Sequence, residues 1–387
     1  MKKLISIFLV CVMLFSISIT TFAANKVSDN EKLSFNADGK FKIMMVNDTQ
    51  DVGFGVKRKM VNLLNAALDA EKPDLVVFVG DQLSDVYPFA GKKDFKRALD
   101  NILAPLETRK IPFLVTMGNH DHDRESKMIE SEQYEIYNSY SMCMNTENGP
   151  EGDPFTCSKL IYGTDGSAKF NIYMMDTNSG SIAPGKGIHP EQLDWYNKTF
   201  KANKELNGKV IPSLLFQHIP CKEIYYLLNE STWDTEGSVY STDDNKWYCL
   251  NPDLYESGTL GESPCPEEFS RTTGQYQAWV ENGDIMGAFF AHDHLNSFVG
   301  TTKDGIRMGY NSGAGFKAYG DTDKRSVRIF ELDENDVENY TTRLVTYGDL
   351  IGKLDFVFND LITLVWVTDI MRVIYKYFGW AINLFSK

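Results

Sequence analysis

Six short apolar runs in this chain each stop abruptly on a carboxylate, an amide or an imidazole, and that recurrence limits the folds open to it. FKIMMV (41–46) runs into Asp48, DLVVFVG (74–80) into Asp81, and IPFLVTMG (111–118) into Asn119, His120 and Asp121. FNIYMM (170–175) runs into Asp176, VIPSLLF (210–216) into His218, and IMGAFF (285–290) into His292 and His294. Runs of this length, rich in β-branched and aromatic residues, suit buried strands. Amphipathic stretches at 56–70 and 95–107 separate the first three. Alternating strands and helices predict an α/β fold with parallel pairing. Ligands in such sheets bind beyond the carboxyl ends of the strands, so the six polar ends are expected to converge.

The histidines sharpen the expectation. Of the six, His120, His122, His218, His292 and His294 lie at these ends, and His189 lies elsewhere with no assigned role. In AHDHLN (291–296) the two histidines are two residues apart. Alternate residues of an extended segment face opposite ways, so either the segment turns or the imidazoles face two neighbouring ions. Two neighbouring ions need a bridging carboxylate, for which Asp81 is a candidate. Imidazole, carboxylate and amide oxygen together suit Mn²⁺, Fe²⁺ or Zn²⁺ better than Ca²⁺ or Mg²⁺ alone.

The ordered set Asp48-Thr49-Gln50, Gly80-Asp81, Gly118-Asn119-His120-Asp121, His218 and Ala291-His292-Asp293-His294 resembles the calcineurin-like metallophosphoesterase superfamily, which includes the purple acid phosphatases. Its pattern runs D-x-H, G-D, G-N-H-D/E, H, G-H-x-H, and the match spans roughly residues 40–346. The resemblance implies two packed mixed β-sheets flanked by helices, with two divalent metal ions at one rim. One ion would take Asp48, Asp81 and His294, with position 50 as a further ligand. The other would take Asp81, Asn119, His218 and His292. His120 would contact the substrate phosphoryl group or its leaving oxygen, and Asp121 would orient that imidazole. Arg124 and Asn296, near the motifs, are candidate substrate contacts.

Three positions depart from the pattern. Ala291 replaces a glycine, which restricts backbone angles. Ser84 stands where purple acid phosphatases place a tyrosine, so an iron–tyrosinate is not expected. Gln50 replaces a histidine, as in some branches of the superfamily, and offers a neutral amide oxygen where imidazole offers a stronger nitrogen donor. It either ligates the first metal weakly or hydrogen-bonds a metal-bound water.

The expected chemistry is hydrolysis of phosphomonoesters by attack of a metal-bridging hydroxide, with His120 protonating the leaving group. Two alternatives stay open: a phosphodiesterase or nucleotide hydrolase, and a non-catalytic metal-binding scaffold.

Residues 1–24, with two lysines, an apolar stretch and small residues at its end, have the layout of a secretory signal. The chain is therefore expected outside the cytoplasm. Without the two lysines the formal charge moves from −14 to −16 (37 Lys+Arg against 53 Asp+Glu), which argues against duplex nucleic acid as a partner and leaves a small phosphorylated substrate. The catalytic domain is expected over 36–346, with lid insertions at 122–168 and 219–273. The segment 347–387 is hydrophobic, yet Asp360, Asp369, Arg372 and Lys376 interrupt 354–385, so no uncharged stretch reaches the length of a span; membrane-surface association is favoured, with a dimer contact and a cover on the catalytic domain as alternatives. Five cysteines remain beyond the signal, and Cys143 with Cys157, plus two of Cys221, Cys249 and Cys265, are candidates for disulfides.

Overall fold

A computed structural model describes residues 32–50, 58–84, 92–122, 128–178, 187–266, 273–353 and 369–378. The signal at 1–24 and Arg124 lie outside the described residues, and of 354–385 only 369–378 are described.

Strands are numbered along the chain. The first sheet contains β2 (Lys40–Val46), β3 (Leu75–Val79), β4 (Phe113–Thr116), β15 (Ser326–Asp333) and β16 (Thr341–Thr346), in the order β16-β15-β2-β3-β4. The second contains β1 (Leu33–Ser34), β5 (Cys157–Tyr162), β6 (Ala168–Met175), β7 (Ser213–Gln217), β11 (Tyr255–Ser257), β12 (Ile285–Phe290), β13 (Val299–Thr301) and β14 (Arg307–Tyr310), in the order β1-β5-β6-β7-β12-β14-β13-β11. Strands β2, β3 and β4 run parallel, as do β6, β7, β12 and β14, while antiparallel strands extend both sheets. The two sheets are therefore mixed, as the resemblance implied.

The apolar runs are continuous because the central strands are covered on both faces. In β2, Ile43 and Met45 pack between the sheets against Phe216, Phe289 and Phe330. Met44 and Val46 face the other way, toward α1 (Arg58–Glu71), α2 (Lys92–Arg109) and α3 (Glu130–Asn138). The period-2 geometry of a strand sends alternate side chains to two different cores. On the far side of the second sheet, Tyr173, Leu215 and Ala288 meet Trp195 and Tyr196 of α4 (Pro190–Asn207) and Trp279 of α5 (Gln275–Asn282). The layers run helix, sheet, sheet, helix.

The two insertions differ. Within 219–273, β8 (Leu228–Ser231), β9 (Val239–Ser241) and β10 (Lys246–Leu250) form a small separate sheet, and β11 joins the edge of the second sheet. The stretch 122–168, expected as an overhanging lid, is instead part of the body. Strand β5 pairs along β6, and Tyr134, Tyr137 and Tyr140 are buried in the core of the first sheet. Aromatic residues facing a sheet gain more from burial than from exposure over a site. Among the described residues no disulfide is formed, so the pairing considered for Cys143 and Cys157 is not made. Cys143 lies in the helix-side core and Cys157 between the sheets, where burial pushes its thiol up to about 12.

Arg328 of β15 ties the sheets together. Its buried guanidinium donates to the Tyr310 carbonyl at 2.9 Å, the Ser297 carbonyl at 2.8 Å and the Thr342 hydroxyl at 3.2 Å. Arg328→Ala is expected to lower the unfolding free energy by about 3 kcal/mol, since it strands buried acceptors and opens a cavity. Denaturant titration measures the loss, and a value under about 1 kcal/mol would show that these carbonyls find other donors.

Candidate metal centre

Each ligand strand must end sharply if its side chain is to reach the rim. Asp48, Gln50, Asp81 and His292 all adopt left-handed backbone, with φ of 48°, 41°, 54° and 71°. Such angles cost a non-glycine residue about 1–2 kcal/mol each, and strain of this kind gathers at functional sites. The turn at His292 also resolves the spacing of the two histidines: the Asp293 N–H returns to the Ala291 carbonyl at 2.8 Å, so the segment is not extended. The positive φ falls on His292, so Ala291 replaces glycine there without backbone strain. Gly80 and Gly118 allow close approach. A Cβ at Gly80 would lie 2.3 Å from His218 Nδ1, and one at Gly118 would lie 2.2 Å from Asp81 Oδ1.

The structure brings together all seven residues named as ligands. Asp48 Oδ1 lies 3.2 Å from His294 Nε2 and 3.9 Å from His218 Nε2. Asp81 Oδ2 lies 3.4 Å from His218 Nε2 and 3.1 Å from the Gln50 amide nitrogen, which is itself 3.4 Å from His294 Nε2. Asn119 Oδ1 is 3.2 Å from His218 Nε2, and the His218 and His292 ring centres are 5.3 Å apart. The Gln50 amide nitrogen thus lies among the candidate ligand atoms, donating to Asp81. Asp81 is central, with one partner from each proposed ion site.

These residues fit divalent cations. Asp48 Oδ1 is a buried carboxylate oxygen with no hydrogen-bond donor, a costly arrangement that a cation relieves. His218 Nδ1 is 3.0 Å from the Val79 carbonyl and His294 Nδ1 is 2.9 Å from the Tyr319 carbonyl. Each contact holds the other ring nitrogen toward the carboxylates. Burial alone would depress His218, but the Asp81 and Asp48 carboxylates outweigh it and raise its pKa to about 10. His294 is raised against burial by Asp48. His292 is pulled down to about 4 by burial and the neighbouring His218 charge.

Asp121, expected to orient the His120 imidazole, serves the backbone of the ligand loops. Its buried carboxylate accepts from the amides of Asp81 at 2.7 Å, Gly118 at 2.9 Å and Leu83 at 3.0 Å, so it fastens two ligand loops to each other. Burial and the Asp81 charge push its pKa up to about 7, while the three amide bonds favour the ionised form. His120 is half-buried on a turn of 3₁₀ helix, and its N–H donates to Asp81 Oδ1 at 2.8 Å. Asn296 is fully buried, its amide oxygen accepting from Gly261 and Glu262 at 3.0 and 3.1 Å, so it joins loops. His189 precedes α4 and donates its N–H to Gln192.

Sequence reasoning missed Asn47, which donates to Asp48 Oδ2 at 2.6 Å and is held in turn by Asn311. Its position beside Asp48 was the only signal. It also missed Glu262 and Tyr319, which pack around His294. They come from loops without periodicity.

Against this geometry, the sequence profile of the calcineurin-like phosphoesterase family matches residues 41–296, which is 256 of the 387. The chain belongs to the calcineurin-like phosphoesterase family. It is 29% identical over 341 residues to an Arabidopsis thaliana protein named probable inactive purple acid phosphatase 14, covering 78% of this chain and 77% of that one. It is 27% identical over 344 residues to probable inactive purple acid phosphatase 29 of the same plant, covering 80% of each. Among solved structures it is similar to GAP50, the anchor in the inner membrane complex of Plasmodium, at 12% identity and a TM-score of 0.45, covering 86% of this chain and 94% of that one. As a calcineurin-like phosphoesterase the chain is a member of a metal-dependent family, and its Asp48, Asp81 and His218 ligand atoms lie within 4.8 Å of one another.

Metal and protons should compete at this family site. Below about pH 10 the metal-free protein holds a proton on His218, so a cation bound there expels it and apparent affinity climbs as pH rises. Calorimetric Mn²⁺ titrations from about pH 6 to about pH 8, in buffers of different ionisation enthalpy, should show tighter binding at higher pH with proton release. Binding that neither releases protons nor depends on pH would mean His218 is not a ligand.

Proposed function

We propose that this chain is an exported phosphoesterase that binds two divalent ions and hydrolyses phosphomonoesters. The observation that carries the reading is the convergence of seven donor side chains, Asp81 central among them and the buried Asp48 Oδ1 beside it. Asp48, Asp81, His294 and Gln50 would hold one ion, and Asp81, Asn119, His218 and His292 the other. The pair of ions would supply the charge and Lewis acidity that activate water and neutralise the phosphoryl oxygens.

The remaining work falls to the chain. Asp121 and the left-handed turns hold the ligand loops in register, so that little reorganisation accompanies the reaction. His120, anchored through its N–H to Asp81, stands at the rim where a leaving oxygen would need a proton. The word "inactive" in the plant relatives' names describes those proteins. Six of the seven donors here match the superfamily pattern, which favours catalysis over a non-catalytic scaffold.

With Mn²⁺ added, the protein should hydrolyse an aryl phosphate faster than an aryl phosphodiester. His120→Ala should keep its metal content yet lose rate, by about 10²-fold or more, most severely for alkyl phosphates whose leaving groups need protonation. Equal losses for aryl and alkyl substrates would assign His120 to phosphate binding. Absence of any turnover in metal-loaded wild type would sink the enzyme reading.

We also infer that the C-terminal segment contacts a lipid surface. Among the described residues no helix is long and apolar enough to cross a membrane. The helical stretch 369–378 turns Tyr375 edge-on to Trp247 at 5.9 Å and donates from Arg372 to the Ser238 carbonyl, while Ile370, Val373, Tyr377 and Phe378 are 51–61% exposed. Residues 370, 373 and 377 share one helix face, the pattern of a helix lying in an interface. The full chain should sediment with zwitterionic phosphatidylcholine vesicles, and Val373→Asp with Tyr377→Asp should release it. Vesicle binding untouched by that double change would place the contact elsewhere.

A further inference from the structure

His294 is held by residues outside the donor set. The Tyr319 ring lies parallel to the imidazole, with centroids 4.2 Å apart and planes 7° from coincidence. The Tyr319 carbonyl lies 2.9 Å from Nδ1, an arrangement that keeps a proton on Nδ1 and turns Nε2 toward Asp48 Oδ1. Stacking restrains the ring's tilt and the carbonyl restrains its rotation, so together they fix the direction of the donor lone pair.

Tyr319 is itself tethered. Its hydroxyl is 3.1 Å from both carboxylate oxygens of Glu262, and Glu262 Oε1 also accepts from the Leu295 N–H at 2.8 Å. Glu262 is only 4% exposed and belongs to the 219–273 insertion. The same edge of the insertion is laced to the ligand turn at further points. Asn296 accepts from Gly261 and Glu262, and Ser297 and Thr259 exchange hydrogen bonds of 2.9 and 3.1 Å. A buried carboxylate that grips both the residue after His294 and the ring stacked on it connects the insertion to one half of the metal centre. The histidines of the other half, His218 and His292, are reached by none of these bonds.

We propose that Glu262 and Tyr319 are positioning residues for His294, through which the 219–273 insertion sets how tightly the first of the two ion sites is loaded. The inference rests on the two-ion reading above. If the pair merely fills space, Tyr319→Phe, which keeps the ring and the carbonyl, should change nothing at the metal centre.

The test is calorimetric titration of the metal-free full chain with Mn²⁺, comparing wild type with Tyr319→Phe, Tyr319→Leu and Glu262→Gln. Wild type should show two binding steps. Tyr319→Phe and Glu262→Gln should weaken one step several-fold and leave the other unchanged, and Tyr319→Leu, which also loses the stack, should weaken the same step by about tenfold or more. In the Co²⁺-loaded protein, the paramagnetically shifted Nδ1–H proton of His294 should be sharp in wild type and lost to solvent exchange in Tyr319→Leu. Because Tyr319→Phe removes only one oxygen, it keeps the test open if Glu262→Gln fails to fold. Both steps weakening together, in proportion to a fall in thermal stability of the metal-free variants, would overturn the proposal, as would an unchanged titration in Tyr319→Phe. Selective weakening in a protein that hydrolyses no phosphate ester would sustain this inference while overturning the proposed function.

Discussion

Asp48 and Asp81 are buried beside each other, and much of the structure answers the problem of keeping two negative charges out of water. A carboxylate in such a place is tolerated only with donors or counter-charge around it. The chain supplies both. Asn47 and the His292 amide donate to Asp48, the His120 amide and the Gln50 side chain donate to Asp81, and the imidazoles of His218 and His294 stand between. The two carboxylates favour the protonated forms of the His218 and His294 imidazoles. Under the two-ion reading the cations would take over that counter-charge, so the same groups would serve folding and binding in turn.

The sheet sandwich makes this concentration of charge mechanically feasible. Five parallel strands, β2, β3 and β4 of one sheet and β7 and β12 of the other, bring polar residues to one rim where their apolar runs stop. The Phe289–Phe330 pair, with ring centres 4.5 Å apart, locks the sheets face to face beneath that rim. Stability is thus drawn from the dry interior and strain is tolerated at the edge, because the core over-determines where the strand ends must lie.

The sequence disclosed the strands and their polar ends because a strand buried on both faces leaves an unbroken apolar run, and the residue that breaks it must have a partner. Asp48, Asp81 and His218 could be placed on that ground. Gln50 could be named but not oriented, since a single sequence holds no distances. Asp121 was visible as a motif residue, yet its service to three backbone amides was not, because nothing in a sequence marks which N–H groups a carboxylate will meet. Tyr134, Tyr137 and Tyr140 were legible as aromatic but not as core, since their spacing suits a lid as well as a packed helix. Glu262 and Tyr319 left no trace at all: their meaning arises only where two loops, far apart in the chain, close on His294.

The backbone of Gln50 bears a cost of its own. Its amide stands where the superfamily pattern has an imidazole, and its backbone takes a left-handed turn, at φ 41°, in line with those of Asp48 and Asp81. Glutamine gains nothing from that conformation, and glycine would occupy it at lower cost. The bend is what carries the Gln50 side chain to Asp81, 3.1 Å away, so backbone strain and side-chain contact at this rim stand or fall together.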